Sequence, residues 1–263
     1  MRAGPVNLAR EAKKGSPMRS GRLISALILL CTSASAPAAE VPVDLELVLA
    51  VDVSGSVDDV EAHQQRQGYI DALRDPLVHR AIAQGAHRRI AVTYIEWAGA
   101  GWQQTVIPWT LLDGPEACER FAAQLAETPI GRGRWTSISG AIDYAVRLFD
   151  GNGFDGERKV IDISGDGTNN NGRPVEDARW DALEKGIVIN GLPILNDRPQ
   201  PFGMPTPRQL ALDDYYERWV IGGPGSFIVV ANDFDDFRRA VLAKLVREIA
   251  GTGGPRRVAA SDR

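Results

Sequence analysis

The sequence predicts an α/β fold: a doubly wound, mostly parallel sheet with helices on both faces and one antiparallel edge strand. Three observations carry the prediction. Strand-like and helix-like stretches alternate along residues 43–250, the pattern of a sheet assembled from βα units. Leu47, Val48, Leu49, Ala50 and Val51 are apolar at consecutive positions, as in a strand buried on both faces. Asp52, Ser54 and Ser56 then leave the end of that strand with Gly55 between the serines. The carboxyl ends of strands are where open α/β sheets bind ligands.

The elements follow in chain order. Arg19 and Arg22 precede the apolar run Leu23–Leu30, and a small-residue stretch, Thr32–Ala39, comes next. These are the three parts of a secretory signal, so residues 1–39 are expected to be an extension and signal peptide, with Met18 as the start and a cut near Ala38. The run is too short for a stable membrane anchor. The expected location is the periplasm or the exterior, with no transmembrane anchor after cleavage. Loss of Cys31 leaves Cys118, in an Ala- and Glu-rich helical pattern, as a small core residue without a disulfide.

Asp58 or Asp59 opens the first helix, with a modest face of Val60, Gln64, Gln67 and Ile70 or Leu73. Arg89–Glu96 is β-branched and apolar, a second buried strand. Gln103–Leu112 reads as the antiparallel edge strand, closed by the turn signal Asp113-Gly114. Glu116–Ala126 is helical. Ile138, Ile142, Ala145 and Phe149 recur at helical spacing, so Thr136 opens an amphipathic helix and is itself an N-cap candidate. Arg158–Ser164 is a strand, followed by the turn-rich loop Gly165–Gly172. Glu176–Lys185 is a helix, Gly186–Ile194 a strand, Asn196–Gln209 a surface loop, Leu210–Val220 a helix and Ser226–Ala231 the last strand. Asn232 or Asp233 caps a final helix bearing Phe237, Val241, Leu245 and Ile249. The Gly- and Arg-rich tail 251–263 is expected to be disordered.

The chain has 263 residues, 44% of them hydrophobic and 24% charged, with a formal charge of -4. Its mild acidity argues against a nucleic-acid binder working through a basic face. The chemistry concentrates after the first strand. A carboxylate and two hydroxyls are hard oxygen donors, suited to Mg2+, Mn2+ or Ca2+, whereas zinc or copper would call for His or Cys. Three oxygens do not complete such a site, so later segments must contribute.

Asp52-x-Ser54-x-Ser56 behind a hydrophobic strand resembles the metal-ion-dependent adhesion site of von Willebrand factor A domains, which share a Rossmann-like sheet. Trp135-Thr-Ser-Ile-Ser-Gly-Ala-Ile142 is similar to that family's second segment and places Thr136 as a metal-facing hydroxyl. Lys159-Val-Ile-Asp-Ile-Ser-Gly-Asp-Gly167 is similar to the third and places Asp166 at a strand end. The family more often has Thr where this chain has Gly165. Within the superfamily the chain resembles the bacterial group labelled DUF1194. The resemblance implies a metal site of Asp52, Ser54, Ser56, Thr136 and Asp166. It implies Mg2+ (alternatively Mn2+ or Ca2+) as the ion, and an acidic group from a partner in the open coordination position. The expected function is an exported, metal-dependent binding module for a protein or acidic ligand. Trp97, Trp102, Trp109 and Trp135 are candidate aromatics around the site.

Two rivals carry less. Ser164-Gly-Asp-Gly-Thr-Asn-Asn170 resembles the acidic motif of haloacid-dehalogenase-type, Mg-dependent phosphatases, but the acid/base Asp expected two positions after Asp52 is Ser54. A serine hydrolase would need a base, and His63, His79 and His87 all fall in or just after the first helical region, with no nucleophile elbow. The chain is therefore expected not to be an enzyme. A structural scaffold with a vestigial site would show no response to metal. Asp162, inside a strand, reads as an ordinary paired carboxylate.

Overall fold

The computed structural model describes residues 39–195, 211–234, 236–251 and 257–259. The leader expected at 1–39, the start at Met18 and Cys31 therefore lie almost wholly outside the described residues, as does the loop at 196–209. The strands are β1 (Val41–Val43), β2 (Glu46–Asp52), β3 (Ile90–Trp97), β4 (Gln103–Leu112), β5 (Phe154–Gly156), β6 (Lys159–Gly165), β7 (Val188–Pro193), β8 (Ile228–Val230) and β9 (Arg257–Ala259). The helices are α1 (Asp59–Arg74), α2 (Pro76–Ala83), α3 (Pro115–Glu127), α4 (Ile138–Leu148), α5 (Val175–Glu184), α6 (Leu212–Tyr215), which runs into a π-helical turn at Tyr216–Val220, and α7 (Phe237–Ala250).

The main sheet has the order β4-β3-β2-β6-β7-β8-β9. β4 pairs antiparallel with β3, and every other pairing in the sheet is parallel. Every residue of β2 is buried, which is why its sequence is apolar without alternation. Leu47, Leu49 and Val51 join one core with Tyr69, Phe121 and Phe237 from α1, α3 and α7. Val48 and Ala50 join the opposite core with Ile138, Ile142, Ala178 and Tyr216 from α4, α5 and the π turn. Tyr69 meets Tyr94 and Phe237 edge-on, with ring centroids 5.5 and 5.7 Å away, contacts worth about 0.5–1.5 kcal/mol each beyond area burial.

β2 sits between β3 and β6: the chain runs on from β2 through β3 and β4 to one edge, then returns at β6 to build the other side of the sheet. The crevice this opens at the carboxyl end of the central strand is the ordinary ligand position of such folds.

The predicted fold class holds, with corrections to single elements. The buried face of α1 is Ala62, Gln65, Arg66, Tyr69, Ile70 and Leu73, while Val60 is 68% exposed. The polar members of that face are buried because distant groups receive them. Arg66 donates to the carbonyls of Leu125 and Thr128, both at 2.8 Å, and pairs with Glu96. The α1 cap is Asp58, in a reciprocal arrangement with Glu61. Ser137, rather than Thr136, caps α4, its hydroxyl accepting from Gly140 N at 3.1 Å. α7 starts after Asp236, one turn later than a cap at Asn232 or Asp233; Asp233 instead accepts from Asp236 N at 2.7 Å.

The expected disorder of the tail is corrected at Arg257–Ala259, which pair with β8. Arg257 is held there by Asp213, Asp214 and Glu217 at 2.6–3.0 Å. α2, with Asp75 as N-cap and Pro76 at its first position, and the two-stranded β1–β5 sheet are additional to the elements read from the sequence. Cys118 is fully buried among apolar side chains, and burial pushes its thiol up to about 11.

Asp162 points from β6 into the α7 side of the core, 2.5 Å from Lys244 Nζ. Lys244 also lies 2.5 Å from Glu248 Oε1, which accepts from Asn190 Nδ2 at 3.0 Å. Burial, with Glu248 adding to it, pushes Asp162 up to about 7 against the pull of Lys244.

Candidate metal centre

Asp52, Ser54, Ser56, Thr136 and Asp166 arrive on three separate loops and form one cluster at the carboxyl ends of β2 and β6. Asp52 Oδ1 accepts the backbone N–H of Ser54 at 2.7 Å, which bends the chain sharply after β2. Gln65 Nε2 on α1 donates to the Asp52 carbonyl at 3.3 Å. A chain of oxygens runs outward from there. Thr136 Oγ1 donates to Ser54 Oγ at 3.3 Å, Ser54 Oγ and Ser56 Oγ lie 3.1 Å apart, and Ser56 Oγ donates to Asp166 Oδ1 at 2.6 Å. Asp52, Ser54, Thr136 and Asp166 are buried, whereas Ser56 is half-buried and Gly55 exposed. The cluster thus reaches solvent on the Gly55–Ser56 side.

Because Ser137 takes the capping role, the Thr136 hydroxyl is left to face the cluster. Its backbone is clamped by the loop after β6: Asn170 Oδ1 accepts from Thr136 N, and Asn170 N donates to the Thr136 carbonyl, both at 2.9 Å. Asn169 Oδ1 accepts from Ser139 N at 3.0 Å, and Asn171 Oδ1 from Ala100 N at 2.7 Å. These three asparagines read in the sequence only as turn formers. Their consecutive placement after a strand-end Asp was the available signal, since Asn side chains mimic backbone in such loops.

Gly165 has a local reason. A Cβ there would lie 2.8 Å from Asp52 Oδ2 and 3.0 Å from the Tyr216 hydroxyl oxygen. The space that a Thr side chain would need is occupied by Tyr216, delivered by the π-helical turn. Tyr216 was not legible from sequence: its position depends on a five-residue irregularity of a kind that often marks functional sites.

The electrostatics of the cluster centre on Asp52. Asp52 Oδ2 is buried and makes no hydrogen bond. Burial, and next the charge of Asp166, hold the Asp52 carboxyl well above the usual carboxylate range, with hydrogen bonds from Ser54 and from the Asp166 backbone opposing. Burial and the two aspartates likewise push the Tyr216 hydroxyl up, so it stays protonated.

Among the described residues no group of three or more His, Cys, Asp or Glu side chains is disposed to hold a metal. The donors here are two carboxylates and three hydroxyls. That all-oxygen set fits a hard divalent cation, and a positive charge beside Asp52 Oδ2 would satisfy the unpartnered oxygen and offset the Asp52–Asp166 repulsion.

Of the four tryptophans, Trp97 is fully buried and Trp135 is 57% exposed. Trp109 packs between Phe149 and Phe154. Trp102 is half-buried and covers the backbone of Gly131, where a Cβ would fall 2.4 Å from its ring. The histidines engage partners outside the cluster: His63 the carbonyl of Asp59, His79 that of Leu73, and His87 the carboxylate of Glu157. Among the described residues no helix is long and apolar enough to cross a membrane.

Residues 42–253 match the family model described as "Protein of unknown function (DUF1194)". No curated protein sequence matches the chain. Solved structures are similar in fold. Proximal thread matrix protein 1 from the mussel byssus, described with a zinc-occupied MIDAS motif, superposes with a TM-score of 0.57 at 14% identity, covering 80% of this chain and 49% of that one. The pilus adhesin SpaC from Lactobacillus rhamnosus GG gives 0.55 at 15% identity, covering 80% and 31%. A von Willebrand factor type A protein from Catenulispora acidiphila gives 0.50 at 14%, covering 79% and 42%. The match thus spans half or less of each of these proteins. At these identities the likeness is one of fold: a von Willebrand factor A-like α/β sheet.

Proposed function

The chain belongs to the DUF1194 family, and from that premise and the strand-end cluster we propose that it is an exported binding module that holds a divalent cation, Mg2+ before Mn2+ or Ca2+, and uses it to recognise an acidic group on a partner protein. The observation that carries this is Asp52 Oδ2, a fully buried carboxylate oxygen without a hydrogen bond beside a second aspartate and three hydroxyls. An arrangement of this kind is costly without a cation, because a buried carboxyl with one oxygen unpartnered must either lose hydration as the anion or keep its proton. Asp52 and Asp166 would supply the anionic oxygens, and Ser54, Ser56 and Thr136 the neutral ones. When bound, the ion supplies an electrophilic position for a carboxylate.

The zinc-occupied motif described for the mussel protein supports the location of such a site on this fold. The oxygen-only donor set here favours a harder ion. The reading as a binder rather than a catalyst is supported by Ser54, which stands where an acid/base carboxylate would be, and by the histidines' engagement with partners outside the cluster. Export follows from the basic, apolar and small-residue order of residues 19–39.

Calorimetric titration of metal-stripped protein with Mg2+ and Mn2+ tests the reading, beside Asp52→Ala and Asp166→Ala. Saturable binding that disappears in both variants is expected. A wild type with no metal response points instead to a vestigial scaffold. Turnover in a phosphatase screen of the same samples, lost in both variants, would replace the binder with an enzyme.

A further inference from the structure

Beside the cluster, the backbone stores strain in order to present an apolar side chain to water. Trp135 has φ +66°, the left-handed region that bulky residues avoid at a cost of about 1–2 kcal/mol. Its side chain is 57% exposed, so the strain is not repaid by core burial. The loop is fixed on both sides of it. Gly133 N donates to the Val53 carbonyl at 3.1 Å, Thr136 N to Asn170 Oδ1 at 2.9 Å, and Ser137 N to the Ala98 carbonyl at 2.8 Å.

Gly133 is required for this path, since a Cβ there would fall 2.2 Å from that of Ala98. The backbone that carries the indole is therefore held in place, with Thr136, whose hydroxyl belongs to the cluster, as the next residue. Arg132 and Arg134 on the same loop are also exposed; Arg132 is neutralised by Asp59 on α1, and Arg134 gives the rim positive charge.

Strained, non-glycine conformations that the surrounding structure over-determines are concentrated at ligand clamps. Trp and Arg are the side chains most enriched at binding hot spots, and a rigidly presented aromatic loses little entropy on docking. We infer that Trp135 is the anchor of the partner-binding surface, and that the partner is a protein segment carrying an acidic residue next to an apolar one: the acid reaches the metal, the apolar side chain covers the indole, and Arg134 favours an acidic surround. The acid-to-metal half rests on the function proposed above; the Trp135 half rests on the loop.

The test uses fluorescence polarisation of labelled peptides with Mn2+-loaded protein, comparing Asp flanked by Leu or Phe, Asp flanked by Ser, and Asn flanked by Leu. The variant is Trp135→Gly, which keeps the backbone path without strain, because glycine adopts positive φ freely. Wild type is expected to prefer the apolar-flanked Asp peptide at least tenfold over the Ser-flanked one. Trp135→Gly is expected to lose that preference while its Mn2+ affinity is unchanged and its melting temperature is equal or higher. A wild type without discrimination, including one that binds no peptide, overturns the inference; so does a Trp135→Gly variant that keeps the preference. Trp135-dependent capture that persists in chelator, with no Mn2+ binding by wild type, supports the anchor and overturns the metal reading instead.

Discussion

Replacing Asp52 by Asn should make the metal-free protein more stable while removing its metal response. The carboxylate is fully buried, one oxygen has no hydrogen bond, and Asp166 repels it. Leaving a buried polar atom unpaired costs about 1–3 kcal/mol, and more when it is charged. Asn retains an acceptor for Ser54 N and removes the charge. The expected gain in chelator is about 1–3 kcal/mol, and each kcal/mol raises the melting temperature of a domain this size by about 2–4 °C.

In excess Mg2+ the order reverses. Wild type gains about 4.1 kcal/mol at a thousandfold excess over Kd, through linkage, and the variant gains nothing. The sign with pH follows from the raised carboxyl. Because folded Asp52 holds its proton more tightly than the ordinary value of 3.8, metal-free wild type loses stability as pH climbs from that value toward the folded one. Asp52→Asn lacks that slope. Thermal melts in EDTA and in Mg2+, each across a pH series, read all of this. An Asp52→Asn protein less stable than wild type in EDTA at neutral pH would refute the reasoning, since the carboxylate would then be satisfied without a cation.

Two further substitutions separate the site from its supports. Lys244→Met leaves Asp162 and Glu248 buried without their shared cation and should cost about 3–5 kcal/mol at pH 8. The loss should shrink toward pH 5, because Asp162, already pushed up to about 7, then carries a proton; denaturant melts showing a loss that grows on acidification would contradict this. Gly165→Thr restores the residue more common in the resembled family but puts a Cβ 2.8 Å from Asp52 Oδ2. It should weaken Mg2+ binding by tenfold or more in titration, and unchanged affinity would mean that Tyr216 yields easily.

The parts of the fold legible in the sequence are those set by local pattern. The apolar run before Asp52 required a doubly buried strand, and Asp52, Ser54 and Ser56 follow it at fixed spacing. What the sequence did not disclose depends on partners far along the chain. Gln65 and Arg66 look like the solvent face of α1 until the Asp52 carbonyl, Glu96 and the end of α3 receive them. Thr136 and Ser137 are equally good caps on paper, and the clamp from Asn170 decides between them. Tyr216 reaches Gly165 only because the helix there widens to a π turn. Asp162 is placed by Lys244, a residue on the last helix whose charge would have argued for solvent.

The hydrogen bond from Ser56 to Asp166 joins positions 110 residues apart, whereas β2 meets β3 after a shorter excursion. The entropy of closing the longer loop exceeds that of the shorter by only about 1 kcal/mol, but the closure requires β6 to be in register beside β2. No fragment ending before β6 contains both aspartates of the cluster. A cation held by all five oxygens would therefore register a completed topology rather than a local turn. On the proposed function, a chain exported unfolded would acquire ion affinity only on arrival, once the central strands have paired.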